Sequence, residues 1–488
     1  MSDTTETTEA TTASEAFAEA TVQADRVRRG EVSPEELVEQ AIERIESIND
    51  QVNAVIIPTY EKARAEAKTA QGPFRGVPYT LKDTMASKGD LYTAAIDGVK
   101  QAGYKADYDP YFVQRMREAG FVLVGKSNTP ELALVATTES HAWGACANPW
   151  DLSRSVGGSS GGAAVSVATG MVPVAHGSDG GGSVREPASK TGIVGIKATR
   201  GRLSQGPRVI DSDNVSGIAH EGLFTRTVRD LAALLDVVGG RRPGDPFGAP
   251  QPARPYAAEV GADPGRLRIG ICTTDPAGQF EVDPQCAEGA RKAADLLADL
   301  GHDIAEGYPE AIRAESWPLD FMPCVAVVVK RELERFGGLI GRELTEDDVE
   351  PQTWAYAQMG AQVTGEQYAA GVDALRTQGY ETELWWEQEG WDLWLTPALT
   401  IQTPPLGEFR PTREDPFGSL GMEPSRFEVP SNVSGQPSIS LPLHHASDGM
   451  PLGVLLTAAY GREDVLIRVA SQLEQARPWA DRIPPIHA

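Results

Sequence analysis

The chain lacks long apolar runs and clustered cations, and each of these absences excludes a class of protein. No window reaches the roughly 18 to 20 uninterrupted apolar residues that a membrane-spanning helix needs. The first residues carry no basic segment followed by an apolar one, so we expect a protein that is not secreted. A formal net charge of −25 offers no cationic footprint for a phosphate backbone, which argues against a nucleic-acid partner.

Cysteine is scarce, and its positions lack the spacing of a metal site or of a redox pair. Such unpaired thiols fit a reducing compartment, so we expect a cytoplasmic protein in which the thiols are buried. The four are Cys146, Cys272, Cys286 and Cys324.

The order of apolar and polar segments predicts an α/β chain. Residues 1–14 are rich in Thr and Glu and predict a disordered acidic tail, and we predict that residues 15–488 form one domain. Ser33 followed by Pro34 begins a helical pattern, whereas "FVLVGK" reads as a buried strand. The Pro- and Gly-rich residues 239–265 fit either a domain boundary or a surface excursion of one domain, and we favour the excursion.

Two loops of small residues lie close together in "SVGGSSGGAAVSVATGMVPVAHGSDGGGSVREPAS", residues 155–189. Between them the pattern predicts a short helix and a strand, a unit that returns the chain and brings Ser159 near Ser183. Glycines before Ser183 leave backbone N–H groups uncovered, as in an oxyanion hole. A phosphate cradle or simple tight turns are the alternatives that the glycines alone leave open.

A nucleophilic serine needs a base within hydrogen-bond reach. Of the seven histidines, His141 and His176 stand in stretches without triad motifs, and His444 and His445 are interpreted as the end of a surface strand. The G-x-S-x-G pattern is absent. Lys82 ends an apolar run in "GVPYTLKDTMAS", where burial would lower its pKa towards neutrality. A structural salt bridge is the other interpretation of this lysine, but the two serine loops favour a base.

Together, "GVPYTLKD", "GGSSGGAAVSVATG" and "GSDGGGSVREPASKTGIVGIKATRGR" resemble the amidase signature family of serine hydrolases, in the family's order and spacing. The resemblance implies Ser183 as nucleophile, Ser159 as a bridging serine next to a cis peptide bond, and Lys82 as neutral base. It also implies that the oxyanion donors are the N–H groups of Gly180, Gly181, Gly182 and Ser183. The side chains of Asp179 and Arg185 would support that loop. Ser160 and Lys126 are interpreted as structural.

The same resemblance implies the amidase signature fold, a large mixed twisted β-sheet flanked by helices on both sides. It implies hydrolysis of a small-molecule amide through an acyl-enzyme on Ser183, with no metal or organic cofactor. A homodimer is common in the family. The alternatives are a glutamine amidotransferase subunit that supplies ammonia and a noncatalytic anion-binding protein.

Within the family, stretches such as "VSGQPSISLPL" and "AAYGRED" are similar to the 6-aminohexanoate cyclic dimer hydrolases, which act on nylon oligomers. This similarity favours linear or cyclic aliphatic amides as substrates. Gly180, Gly181 and Gly182 depart from the alanines of that group, so the substrate stays open. We predict that Cys324 lines the substrate pocket.

Overall fold

A computed structural model describes residues 16–207, 217–313, 321–416 and 424–488. The acidic tail predicted for residues 1–14 lies outside the described residues. Within them, no helix combines the length and the apolar character needed to cross a membrane.

The centre of the molecule is a mixed sheet of eleven strands in the order β1-β3-β2-β8-β10-β9-β14-β15-β13-β11-β12. Its strands are β1 (Val55–Pro58), β2 (Pro78–Lys82), β3 (Val122–Ser127), β8 (Val174–Asp179), β9 (Val194–Lys197), β10 (His220–Thr225), β11 (Arg268–Ile271), β12 (Asp303–Glu306), β13 (Leu393–Pro397), β14 (Ser438–His445) and β15 (Pro451–Ala458). Two small hairpins stand apart, β4 (Glu139–Ser140) with β5 (Gly144–Ala145), and β6 (Ala147–Asn148) with β7 (Asp151–Ser155).

Parallel pairs occur towards both ends of the sheet, and antiparallel pairs occupy its middle. β2 runs parallel to both β3 and β8, and β11 runs parallel to β12 and β13. Because β2 and β8 are parallel neighbours, their carboxyl ends reach the same edge of the sheet. Lys82 ends β2 and Asp179 ends β8, so the predicted lysine and the second glycine loop leave the sheet side by side.

The helices begin where the sequence supplies caps. Ser33 accepts from Glu36 N–H in a complete capping box, and Thr227 accepts from Asp230 N–H. The described helices are α1 (Ala20–Arg28), α2 (Pro34–Val52), α3 (Tyr60–Ala67), α4 (Asp97–Ala102), α5 (Tyr111–Glu118), α6 (Gly161–Ala168), α7 (Arg185–Thr191), α8 (Val228–Val238), α9 (Pro284–Asp299), α10 (Met322–Ile340), α11 (Pro351–Gly360), α12 (Gly365–Glu389), α13 (Val429–Ser434) and α14 (Glu463–Ala476).

Helices cover both faces of the sheet, as the sequence predicts. Successive side chains of a strand point to opposite faces. On β3, Leu123 joins the hydrophobic cluster that contains α5, α8 and α14, whereas Val122 and Val124 join the cluster that contains α2, α3 and α6. The side chains of β10 also point to both faces, with Leu223 in the first cluster and Phe224 in the second.

The predicted loop, helix, strand and loop between residues 155 and 189 are all present. The helix is α6, and the strand β8 begins at Val174, three residues later than the apolar run suggests. Helix α6 is buried along its whole length because its residues are small enough to pack beneath the sheet. Residues 239–265 leave α8 irregularly, with one 3₁₀ turn, before the chain rejoins the same sheet at β11.

Candidate active site

Lys82 is fully buried, and its ammonium group is surrounded by serines. Its Nζ lies 2.6 Å from Ser159 Oγ, 2.8 Å from Ser160 Oγ and 3.0 Å from Ser178 Oγ. Ser160 Oγ in turn donates to the carbonyl of Ser178 at 3.0 Å. Two of these three hydroxyls belong to the first glycine loop and one to the end of β8, so the lysine links the two loops.

No carboxylate forms an ion pair with Lys82 among the described residues, and this isolation has an electrostatic consequence. Burial lowers its pKa from the ordinary value to about 7, although the charges of Glu221 and Asp179 act to raise it. A lysine with such a pKa is partly neutral at physiological pH and can accept a proton. The electrostatics therefore fit the base that the sequence predicts at this position.

The first glycine loop is held so tightly that its glycines have no room for side chains. The peptide bond between Gly158 and Ser159 is cis. A Cβ added to Gly158 would lie 2.5 Å from the backbone nitrogen of Thr137. Thr138 Oγ1 donates to the carbonyl of Gly157 at 2.8 Å and accepts from Gly161 N–H at 3.1 Å. These contacts fix Ser159 with its hydroxyl towards Lys82.

Ser183 lies at the end of the second loop and is half-buried. The two loops are joined there by the backbone, because Ser160 N–H donates to the carbonyl of Ser183 at 3.1 Å. Among the described residues, no hydrogen bond connects the hydroxyls of Ser159 and Ser183. Both serines line the same cavity.

The N–H groups of the second loop divide into two sets. Gly182 N–H donates to Asp179 Oδ1 at 2.8 Å, and its role as an oxyanion donor stays a prediction. The N–H groups of Gly180, Gly181 and Ser183 make no hydrogen bond within the described part of the chain. Gly180 and Gly181 also border the cavity beside Ser183, where an oxyanion would form.

Asp179 and Arg185 form a fully buried bidentate ion pair beneath this loop. Arg185 Nε and one terminal nitrogen donate to the two carboxylate oxygens at 2.9 and 2.7 Å. Burial acts to raise the pKa of Asp179, but the charge and hydrogen bonds of Arg185, together with a hydrogen bond from Asn432, hold that pKa below its ordinary value. Asp179 also accepts from Val184 N–H at 3.1 Å, so the pair fixes the loop on both sides of Ser183.

Sequence reasoning missed the third member of this cluster, Asn432 on α13. Its Nδ2 donates to the backbone carbonyl of Asp179 at 2.8 Å, and its Oδ1 accepts from Arg185 at 2.6 Å. Only the position of Asn432 in space shows its role, since no local motif surrounds it. Ser178 was missed as well, because no local motif marks it. The sequence predicts structural roles for Ser160 and Lys126. Lys126 pairs with Asp83, and Ser160 contacts Lys82 directly.

The cavity above the serines has a volume of about 290 Å³. Its wall is mostly apolar and comes from the loop before β4 and from α10, including Leu132, Leu134, Val135, Met322, Val325 and Val329. Cys324 is not part of this wall, contrary to the prediction. It is fully buried on α10 with its Sγ 3.7 Å from the carbonyl of Tyr368, because the helix turns its side chain away from the cavity. Among the described residues, no group of His, Cys, Asp or Glu is arranged to hold a metal ion.

Comparison with known proteins gives strong matches over nearly the whole chain. The family model named Amidase matches residues 36–467. The chain is 55% identical over 476 residues to the 6-aminohexanoate-cyclic-dimer hydrolase of Paenarthrobacter ureafaciens, with 96% of each chain covered. The hydrolase of the same name from Pseudomonas sp. strain NK87 is 55% identical over 478 residues, again with 96% of each covered. A solved structure of 6-aminohexanoate cyclic dimer hydrolase complexed with substrate has a TM-score of 0.94 at 54% identity, covering 97% of this chain and 100% of that one.

Proposed function

Because the chain belongs to the amidase signature family, we propose that Lys82, Ser159 and Ser183 carry out its amide hydrolysis. The chain is an amidase, an enzyme that hydrolyses carbon–nitrogen bonds other than peptide bonds. The main support for assigning these three residues is a single contact. The buried Nζ of Lys82 lies 2.6 Å from Ser159 Oγ at the wall of a cavity that Ser183 also borders.

In the proposed reaction, Ser183 Oγ attacks the amide carbonyl while its proton passes through Ser159 to neutral Lys82. The N–H groups of Gly180, Gly181 and Ser183 stabilise the tetrahedral oxyanion. When the carbon–nitrogen bond breaks, the proton returns through Ser159 to the leaving amine, and an ester with Ser183 remains. Water then attacks this ester and passes a proton to Lys82, and this proton returns through Ser159 to Ser183 Oγ as the acyl C–O bond breaks, which releases the carboxylic acid and the free serine.

We propose linear or cyclic aliphatic amides as the substrates, with the 6-aminohexanoate cyclic dimer as the first candidate. The two relatives at 55% identity carry that activity in their names. An apolar cavity of about 290 Å³ suits a chain of methylene groups. Glycines stand at positions 180 to 182, where the cyclic dimer hydrolases have alanines. The preference between cyclic and linear amides is therefore a question for experiment.

The test is incubation of the purified protein with the cyclic dimer, a linear 6-aminohexanoate oligomer and glutamine, with products identified by mass. We expect cleavage of at least one 6-aminohexanoate amide and little ammonia from glutamine. In Lys82→Ala, turnover is expected to fall by about three orders of magnitude or more. Ammonia release from glutamine alone would favour an amidotransferase subunit, and a loss below tenfold in Lys82→Ala would reject the lysine as base.

A reducing cytoplasm and a homodimer are further parts of the proposal. All four cysteines are free thiols in the described structure, and all are buried. Light scattering coupled to size-exclusion chromatography measures the assembly directly, and a monomer at micromolar concentration would contradict the dimer.

A further inference from the structure

We propose that Glu221 forms an anionic subsite in the cavity, which binds an aliphatic ammonium group carried by the substrate. This inference rests on the proposed function and adds a substrate class to it. Among linear amides, the preferred substrates would be those whose chain also bears a primary amine, whereas the cyclic dimer has none and would not use this subsite.

The subsite is placed next to the reacting groups by the pairing of two strands. Glu221 on β10 lies directly opposite Ser178 on β8. Side chains of directly opposite residues stand on the same face of a sheet, with Cβ atoms about 4.5 to 5.5 Å apart. Ser178 Oγ is 3.0 Å from Lys82 Nζ, and both Ser178 and Glu221 border the cavity. A group bound at Glu221 would therefore lie near the proposed base, with only β8 between the strands that carry Glu221 and Lys82.

Glu221 differs from the other carboxylates of the cavity wall in its partners. Glu186 is paired with Lys190 at 2.6 Å, and Glu332 is paired with Arg335. Glu221 has no lysine or arginine within ion-pair distance in the described part of the chain. Its carboxylate receives a hydrogen bond from His176 Nε2 at 2.6 Å.

The histidine behind Glu221 orients the carboxylate. The His176 ring is fully buried and packs against Phe112, with ring centroids 4.6 Å apart. Its Nδ1 has no hydrogen-bond partner among the described residues. The contact between His176 Nε2 and Glu221 therefore holds the carboxylate in one orientation at the cavity wall.

A carboxylate in a largely apolar cavity is stabilised best by a cation brought by the ligand. The side chain of Glu221 is 12% exposed, which leaves it in contact with the cavity. Apolar residues such as Val325 and Val329 can pack against methylene groups while an ammonium group reaches the carboxylate. A substrate with a free carboxylate would be repelled at the same position.

The experiment compares amide substrates that differ only in the ammonium group. One pair is 6-aminohexanoyl-p-nitroanilide against hexanoyl-p-nitroanilide, and the second is the hexanoyl amide of 1,6-diaminohexane against that of hexylamine. In each pair kcat/KM of the charged amide is divided by kcat/KM of the neutral one. Any effect of Glu221 on Lys82 acts on both substrates and cancels in this ratio.

In Glu221→Gln we expect the ratio for at least one pair to fall about tenfold, mainly through KM of the charged amide. The matched control is the double variant E332Q/R335M, which removes a cavity carboxylate together with its own cation. Its ratio should stay within about threefold of the unsubstituted protein. An unchanged ratio in Glu221→Gln for both pairs would overturn the subsite, even if every amide is still hydrolysed.

A second measurement needs no variant. Hexylammonium should inhibit hydrolysis of the neutral amide competitively, at a concentration at least tenfold lower than 1-hexanol does. Equal inhibition by the amine and the alcohol would also overturn the proposal. Failure of the protein to hydrolyse any of the four amides would instead reject the proposed function.

Discussion

At the scale of single residues, the proposed chemistry depends on one lysine, whose pKa is lowered by burial. Lys82 has no carboxylate in contact with it, so desolvation outweighs the attraction of Glu221 and Asp179. The sequence predicts this residue because a lysine at the end of a buried run, in a chain with two serine loops, fits a base better than a structural salt bridge. It does not predict Ser178 or Glu221, whose roles arise only from pairing between strands.

The pKa of Lys82 predicts the pH profile. A lysine with a pKa of about 7 is neutral above that pH and charged below it, so kcat/KM should fall as the pH decreases through about 7. Below the midpoint the fall approaches tenfold per pH unit. The measurement is kcat/KM of a neutral amide from about pH 5.5 to about pH 9, with circular dichroism at each pH to verify folding. A profile without an acid limb between about pH 6 and about pH 8 would contradict the neutral base.

At the scale of elements, the ion pair between Asp179 and Arg185 joins the end of β8 to the start of α7 across the second glycine loop. The local order of these elements is predictable, since small residues and glycines mark the turns. The use of Gly182 N–H by Asp179 is not, because the carboxylate has to turn back over its own loop. The direction of Cys324 on α10 also escapes sequence reasoning, because an apolar helix can present several faces to a cavity.

The buried pair predicts a large effect of Arg185→Met on folding. Removal of one partner leaves the carboxylate of Asp179 without its cation in a water-free environment, which costs about 3 to 5 kcal/mol. The free energy of unfolding in urea measures this loss. Arg376→Met is the matched control, because Arg376 and Asp373 are 3.9 Å apart and both more than three quarters exposed, so its effect should stay within about 0.5 kcal/mol. Similar losses in both variants would show that Arg185 does not stabilise the loop.

At the scale of the whole molecule, the family and the α/β architecture are predictable from the sequence and are confirmed. Three motifs in fixed order identify the family, and alternation of helices with buried strands indicates a covered sheet. The order of the eleven strands is not predictable in this way, because the pairs β14 with β9 and β13 with β11 join segments distant in sequence. The single-domain organisation of residues 15–488 stays a prediction.

The net charge of −25 predicts that salt stabilises the folded chain. Repulsion among excess carboxylates opposes the compact state, and added ions screen it. An increase of sodium chloride from about 20 mM to about 300 mM should raise Tm by about 2 °C at neutral pH. The control is the same titration near the isoelectric point, where the increase should vanish. A decrease of Tm with salt at neutral pH would mean that favourable ion pairs outweigh the repulsion.

The amide group of Asn432 reaches the backbone of Asp179 across 253 positions of the chain. During translation, the second glycine loop therefore leaves the ribosome long before Asn432, which holds the backbone at the start of that loop. The nascent polypeptide would remain without hydrolytic activity through most of its synthesis. Truncated products that end before α13 would be inactive even where their serines and lysine are intact.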